Sequence, residues 1–251
     1  MVNEATTSKL HDMKLSSMAE AYRQQMNESA MNTLSFSERL GMLVDHEWDT
    51  RKNNRLKRLI RRADFPVSGA CMEDIEYRAD RKLDREQLLQ LQTCAYIRER
   101  HNIIILGATG SGKTYLGCAL GMAACRHFFS VKYIRLPDLL DELSVARGVG
   151  PKVRGIFRKV MQSYKNIELL ILDEWLLLPL SAAESRDLLE LVESRYSRCS
   201  TIFLSQFDVS GWHSKISDTP LSEAILDRIV HNSYTVIISG VESMRKRKGI
   251  S

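Results

Sequence analysis

Apolar positions divide the chain into two textures. From residue 1 to about 66 they recur only at helical spacing. Leu15, Met18, Ala19, Tyr22 and Met26 share one face of a first amphipathic helix, and the opening stretch Met1–Lys9 is polar. A second helix is predicted from Ser35, where Ser35-x-x-Glu38 has the capping-box pattern and Phe36, Leu40, Leu43 and Val44 lie on one side. The pattern runs on through Leu56, Leu59, Ile60 and Ala63 until Pro66 closes it.

From about residue 84 short β-rich runs alternate with helical stretches. Strands are predicted at Asn102–Leu106, Val131–Ile134, Leu169–Leu172, Thr201–Ser205 and Tyr234–Ile238. Helices are predicted near 113–127, 137–147, 152–164, 182–198 and 220–232, with a further one capped by Asp84. Ser181-x-x-Glu184 is a second capping box, and Pro220 suits a first helical turn. Right-handed crossovers then give an α/β fold, a doubly wound parallel five-stranded sheet behind a small all-helical N-terminal domain. The expected division is a helical domain over 1–66, a charged linker over 67–83 and an α/β domain over 84–251.

Composition narrows the class without choosing a function. Apolar residues make up 44% of the 251 and charged residues 27%, a globular balance. The formal charge of +5 is only mildly basic. Five cysteines form no C-x-x-C pair, which fits a reduced protein with buried thiols. The N-terminus has no basic-then-apolar signal pattern, and no apolar run approaches the roughly 20 residues that span a bilayer. A cytoplasmic protein with no membrane partner is expected.

The chemistry concentrates in a few segments. Gly107-Ala108-Thr109-Gly110-Ser111-Gly112-Lys113-Thr114 follows a predicted strand and opens a helix, the context of a phosphate-cradling loop. Its glycines let successive N–H groups turn inward onto phosphate oxygens, and the helix N-terminus adds its positive end. Lys113 is expected on the β- and γ-phosphates of ATP and the Thr114 hydroxyl on Mg²⁺, with Tyr115 beside the nucleotide. Leu169–Leu172 runs into Asp173-Glu174. Asp173 is expected in the Mg²⁺ shell, and Glu174 as the group that orients or deprotonates an attacking water. A second acid favours water over another phosphate acceptor, so ATP hydrolysis rather than small-molecule phosphorylation.

Thr201–Ser205 is another apolar strand, and it closes on the polar pair Ser205-Gln206. If that strand lies between the other two, Gln206 faces the γ-phosphate and can hold the attacking water; otherwise it is a solvated strand terminus. Arg228 in Leu226-Asp227-Arg228 reads either as a surface helix residue or as an arginine finger supplied to a neighbouring subunit. Arg245 reads as a contact to the nucleotide in its own subunit, or as part of the basic tail Arg245-Lys-Arg-Lys248. Arg51, Arg55, Arg58 and Arg62 share one helix face, with no acid between residues 50 and 63. Such a stripe is a solvated face or a contact to a DNA backbone, and its uninterrupted positive charge favours nucleic acid.

With these residues in view, the chain resembles the IstB-type helper ATPases of bacterial insertion sequences, in the AAA+ branch that also holds DnaC-type helicase loaders. The resemblance rests on Leu15-Ser-Ser-Met-Ala-Glu-Ala21, Ser35-Phe-Ser-Glu-Arg-Leu40 and Arg62-Ala-Asp-Phe-Pro66 in the N-terminal part. In the ATPase part it rests on Gly107–Thr114, Asp173-Glu174-Trp175, Leu221–Arg228 and Gly240-x-x-Ser243-x-Arg245. It implies a DNA-binding ATPase that self-assembles on duplex DNA as a head-to-tail homo-oligomer and works with a cognate transposase in target selection. Arg228 matches the finger position and Arg245 the second sensor. Gln206 stands where relatives usually carry a sensor asparagine. Only six residues follow Arg245, so no C-terminal lid domain is expected. A helicase loader of the same branch, a small-molecule P-loop kinase and a non-hydrolysing ATP-bound scaffold are the competing readings.

Overall fold

The structure is a computed structural model and describes residues 2–148, 154–240 and 244. The chain forms two compact units, Met1–Arg58 and Leu59–Ser251.

In the first unit, α1 (Val2–Asp12) packs on α2 (Ser16–Asn27), and the long α3 (Phe36–Ala63) begins after a short 3₁₀ turn. The capping box at Ser35 forms: Glu38 N donates to Ser35 Oγ at 3.3 Å, and Ser35 N donates back to Glu38 Oε2 at 2.8 Å. Few side chains are buried, chiefly Leu10, Ala19 and Leu43 together with Thr7, Gln25 and Glu47. Glu47 is held by Met18 N at 2.9 Å and by Arg51 Nε at 2.6 Å. Helix α1 escaped the sequence pattern because its polar residues show no apolar period.

The second unit opens on the last turns of α3. After it come α4 (Arg85–Gln92) and α5 (Ala95–Arg98), then β1 (Asn102–Gly107), α6 (Lys113–Arg126), β2 (Val131–Arg135), α7 (Leu136–Arg147), α8 (Arg154–Lys165) and β3 (Leu169–Asp173). The rest is α9 (Ala182–Arg195), β4 (Ser200–Ser205), α10 (Val209–Trp212), α11 (Thr219–Val230) and β5 (Ser233–Ile238). All five strands are parallel, in the order β2-β3-β4-β1-β5. The aliphatic runs of β1, β3 and β4 are buried, as central parallel strands require, whereas the edge strand β5 alternates buried and exposed positions toward its end. Asp84 caps α4 through Glu86 N and Gln87 N, and Ser181 and Glu184 close a capping box on α9. Each such cap contributes about 1 kcal/mol.

Two expectations need correction. The division of the chain falls inside α3, at Arg58/Leu59, rather than at residue 66. Residues 67–83 are no free linker, since Ala70, Met72, Ile75 and Arg81 are buried in the second unit. High charge density made the segment look solvated, yet a few spaced apolar anchors are enough to fix it. Just before it, Phe65 lies on α6, where a Cβ on Gly121 would meet the ring at 2.6 Å.

Candidate functional site

The central strands of the parallel sheet end side by side, and their carboxyl ends collect the polar residues. Strand β1 runs into the glycine loop, where Gly110 and Gly112 take φ of 79° and 98°, the left-handed region that costs a side chain strain. Lys113 opens α6, is almost fully buried, and donates from Nζ to Gly107 O at 2.6 Å and Ala108 O at 2.9 Å. Its ammonium therefore sits folded over the loop. Ser111 Oγ is buried in the loop with no hydrogen-bond partner among the described residues, a polar atom suited to an oxygen-rich ligand.

Asp173, at the tip of β3, gathers three donors: Thr114 Oγ1 at 2.7 Å, Tyr133 OH at 2.8 Å and Glu174 N at 2.7 Å. Thr114 and Asp173, the expected Mg²⁺ residues, are thus in direct contact. Two such oxygens suit Mg²⁺, which keeps waters and takes phosphate oxygens for the rest. Among the described residues no cluster of three or more His, Cys, Asp or Glu side chains stands ready for another metal. Burial, helped by the Asp173 charge, drives the Tyr133 phenol well above its usual pKa, so it serves as a hydrogen-bond donor throughout the neutral range.

Glu174 follows with φ of 53°, a left-handed conformation that costs a non-glycine residue about 1 kcal/mol. Trp175 anchors this turn. Its N–H donates to Leu204 O at 2.9 Å and its carbonyl accepts from Ser205 Oγ at 3.1 Å. Its ring is fully buried, edge-on to Phe203 at 4.6 Å and Trp212 at 5.8 Å. The Glu174 carboxylate is left at the surface, 3.6 Å from Arg135 Nη1, while Arg135 also holds Asp138 at 2.7 Å.

Strand β4 does lie between β1 and β3. Gln206 accordingly reaches the loop, its Oε1 accepting from Thr109 Oγ1 at 2.8 Å. Gly110, Gly112, Lys113, Thr114, Tyr115, Asp173 and Glu174 line one cavity of about 600 Å³ with Thr109, Gln206, Leu204, Pro66, Val67 and Met244. Gly107 and Ala108 contribute the carbonyls that hold Lys113.

The remaining expected residues lie elsewhere. Arg228 lines a different cavity with Asn102, Leu170 and Thr201, at the amino ends of the strands, so it stands away from the glycine loop of its own chain. Its guanidinium donates to Ala224 O at 2.7 Å and Glu193 Oε1 at 2.8 Å. Arg245 lies outside the described residues, though its neighbour Met244 donates its N–H to Gly110 O at 2.9 Å. Arg51, Arg55, Arg58 and Arg62 are all exposed on α3. The Arg51 guanidinium is engaged by Glu47 and by Lys14 O.

Tyr133 and Arg135 carry no motif and were not singled out from the sequence. Only strand register places β2 beside β3, with Arg135 opposite Asp173. The three tryptophans divide: Trp175 and Trp212 are fully buried, but Trp48 is 58% exposed.

A glycine loop between strand and helix, an acid pair at the tip of a strand two places away in the same sheet and a polar strand tip between them define a P-loop protein with the AAA+ fold. The fold agrees with solved structures of DnaI (TM-score 0.58, 18% identity, 73% of this chain and 94% of that one) and of AMPPCP-bound DnaA from Aquifex aeolicus (0.57, 20%, 72% and 54%). The family model described as IstB-like ATP binding protein matches residues 8–250. The insertion-sequence ATP-binding protein y4uH of Sinorhizobium fredii is 42% identical over 246 residues, covering 98% of this chain and 96% of its own length. Its relative y4pL from the same organism is 39% identical over 248 residues, covering 99% and 98%, and the IS1162 ATP-binding protein of Pseudomonas fluorescens is 40% identical over 210, covering 84% and 89%. The chain belongs to the IstB-like ATP-binding proteins.

Proposed function

We propose that this chain is a transposition helper ATPase of the cytoplasm. Its subunits take up ATP with Mg²⁺, assemble head to tail on duplex DNA, hydrolyse ATP to ADP and phosphate, and cooperate with a cognate transposase in selecting target DNA. The observation that carries the reading is the meeting of Thr114 with Asp173, and of Thr109 with Gln206, at the ends of three adjacent strands. The names of the relatives, ATP-binding proteins of insertion sequences, support the transposition context.

In this mechanism Lys113 exchanges its two loop carbonyls for β- and γ-phosphate oxygens. Thr114 and Asp173 hold the metal, with Tyr133 fixing the Asp173 carboxylate. Bound Mg²⁺ supplies neutralisation of the charge that builds on the phosphates. Gln206, released from Thr109, orients the attacking water, and Glu174 accepts its proton. Arg228 belongs to the opposite end of the sheet and serves the neighbouring subunit's nucleotide after leaving Glu193. A contact of this kind is heterologous and builds rings or open helices. Arg245 reads the nucleotide from its own subunit. Arg55, Arg58 and Arg62 meet DNA phosphates; Arg51, already committed to Glu47 and Lys14 O, contributes mostly field.

Sedimentation with duplex DNA, comparing ATP with ADP, tests the assembly. A large particle formed only with ATP and DNA is expected, and a constant monomer overturns the reading.

A further inference from the structure

We infer that Arg81, in the segment expected to be a linker, is a positioning residue that sets the phosphate loop from outside. Its side chain is almost fully buried and bridges two backbones. Nη1 donates to Glu76 O at 3.0 Å, and Nη2 donates to Ser111 O, in the glycine loop, at 3.1 Å. The Arg81 carbonyl accepts from Ser239 N at 3.0 Å, just past β5, which fixes the residue to the sheet. A Cβ on Gly112 would lie 3.1 Å from Nη2, so the guanidinium sits flush against the loop. Arg81 does not line the 600 Å³ cavity shared by Lys113, Thr114 and Asp173; it lines the adjoining one with Ile75, Leu83, Tyr115 and Met244.

Peptide geometry gives the contact its consequence. The Ser111–Gly112 peptide is planar and trans, so its C=O and N–H point in opposite directions. Holding Ser111 C=O on the Arg81 side directs Gly112 N–H to the other side of the loop. There, successive N–H groups receive phosphate oxygens in a loop of this type. Gly112 holds φ of 98°, so the peptide's orientation depends on a conformation that a free glycine readily leaves. Arg81 thus orders a donor before the ligand arrives, and its fork geometry lets one side chain reach both carbonyls. A pre-aimed donor helps ground state and transition state alike, so its loss raises KM more than it lowers kcat.

The inference rests on phosphate binding at the loop, and the test separates the two. Wild-type affinity for ATP and for inorganic tripolyphosphate is measured first by calorimetry; absence of both would remove the loop's assigned role itself. Arg81→Gln is then expected to weaken both ligands about tenfold, the scale of one charge-assisted hydrogen bond, with kcat within about twofold. Arg81→Lys keeps the charge but reaches one carbonyl, and is expected to fall between. Unchanged affinities in a folded Arg81→Gln or Arg81→Lys overturn the inference. So does a loss confined to ATP, which would place Arg81 on the nucleoside rather than behind the loop. A lowered melting temperature with KM unmoved also overturns it, because that is the signature of a merely structural arginine.

Discussion

The two units solve opposite problems. From Leu59 onward the chain hides its polar chemistry: Lys113, Ser111, Asp173 and Arg81 are all nearly buried and set among aliphatic strands. The unit Met1–Arg58 gathers exposed apolar side chains along α3, whereas in the second unit such side chains, Val145, Leu178 and Ile237 among them, are scattered over separate elements. Phe36 is 78% exposed, Trp48 58%, Val44 51% and Met42 46%. Fewer than 60 residues enclose only a small core, so part of an amphipathic helix has nothing of its own to cover it. A site that must hold charges at fixed distances needs a rigid frame. A surface that keeps apolar groups ready in water fits a role in association. Under the proposed function, the buried site of the second unit serves nucleotide chemistry and the exposed helix face of the first serves association, beside the head-to-tail contact assigned to Arg228, so the two can be perturbed separately.

The largest expected effect lies in the second unit. Glu174→Gln should slow ATP hydrolysis by about 100-fold or more while ATP still binds, because it removes the group proposed to accept the water's proton and leaves the phosphate loop intact. Phosphate release and nucleotide binding, measured on the same preparation, check this. Full turnover would strip Glu174 of its role. Tyr133→Phe comes next, removing one donor from Asp173 and nothing from the packing. A fall in kcat/KM of about tenfold is expected, most of it recovered at high Mg²⁺, since a carboxylate held less firmly still binds metal. An unchanged Mg²⁺ dependence would count against Tyr133 as the residue that orients Asp173.

A third effect concerns stability. Burial lifts the thiol of Cys94 to about 11, and those of Cys118 and Cys125 to about 12, all in the second unit. A raised pKa means the folded state keeps protons that the unfolded state has lost. Stability is therefore intact below about pH 9 and falls as pH climbs from there toward 12. Denaturant midpoints between pH 8 and 10.5 should show the decline. At pH 8, alkylation of Cys94, Cys118 and Cys125 should lag behind that of the half-buried Cys71 and Cys199, because those three are buried and hold their protons while the thiolate is the reactive form.

What the sequence made legible follows from periodicity and spacing. The five strands read out because buried parallel strands are continuous aliphatic runs, and the caps at Ser35, Asp84 and Ser181 are local patterns that need no tertiary partner. The glycine loop and Asp173-Glu174 were equally plain, each being contiguous. Whatever depended on register was not. Tyr133 reaches Asp173 only because β2 pairs with β3, and Arg81 reaches Ser111 across 30 residues of chain. Gln206 stands between: its character was readable, but its place beside Thr109 required the strand order. Helix α1 and the anchored 67–83 segment were hidden for a different reason, since few apolar anchors among many polar residues leave no period to detect.

The smallest expected effect sharpens the comparison most directly, within one helix. Leu43 and Trp48 both lie on α3, five residues apart, but Leu43 is 7% exposed and Trp48 58%. Leu43→Ala should cost the first unit about 2 kcal/mol or more, as removal of a buried leucine side chain does. Trp48→Ser should change its stability by less than about 0.5 kcal/mol, the usual range for an exposed position. The exposed ring has the Lys52 ammonium 5.0 Å from its centroid, a cation–π contact of small worth at the surface. Chemical denaturation of the ATP-free protein measures both. If Trp48→Ser proved as costly as Leu43→Ala, the ring would belong to a core, and the exposed stripe would no longer be a surface kept for association. If the costs differ as expected, α3 carries two faces with separate tasks, one holding the unit together and one left open.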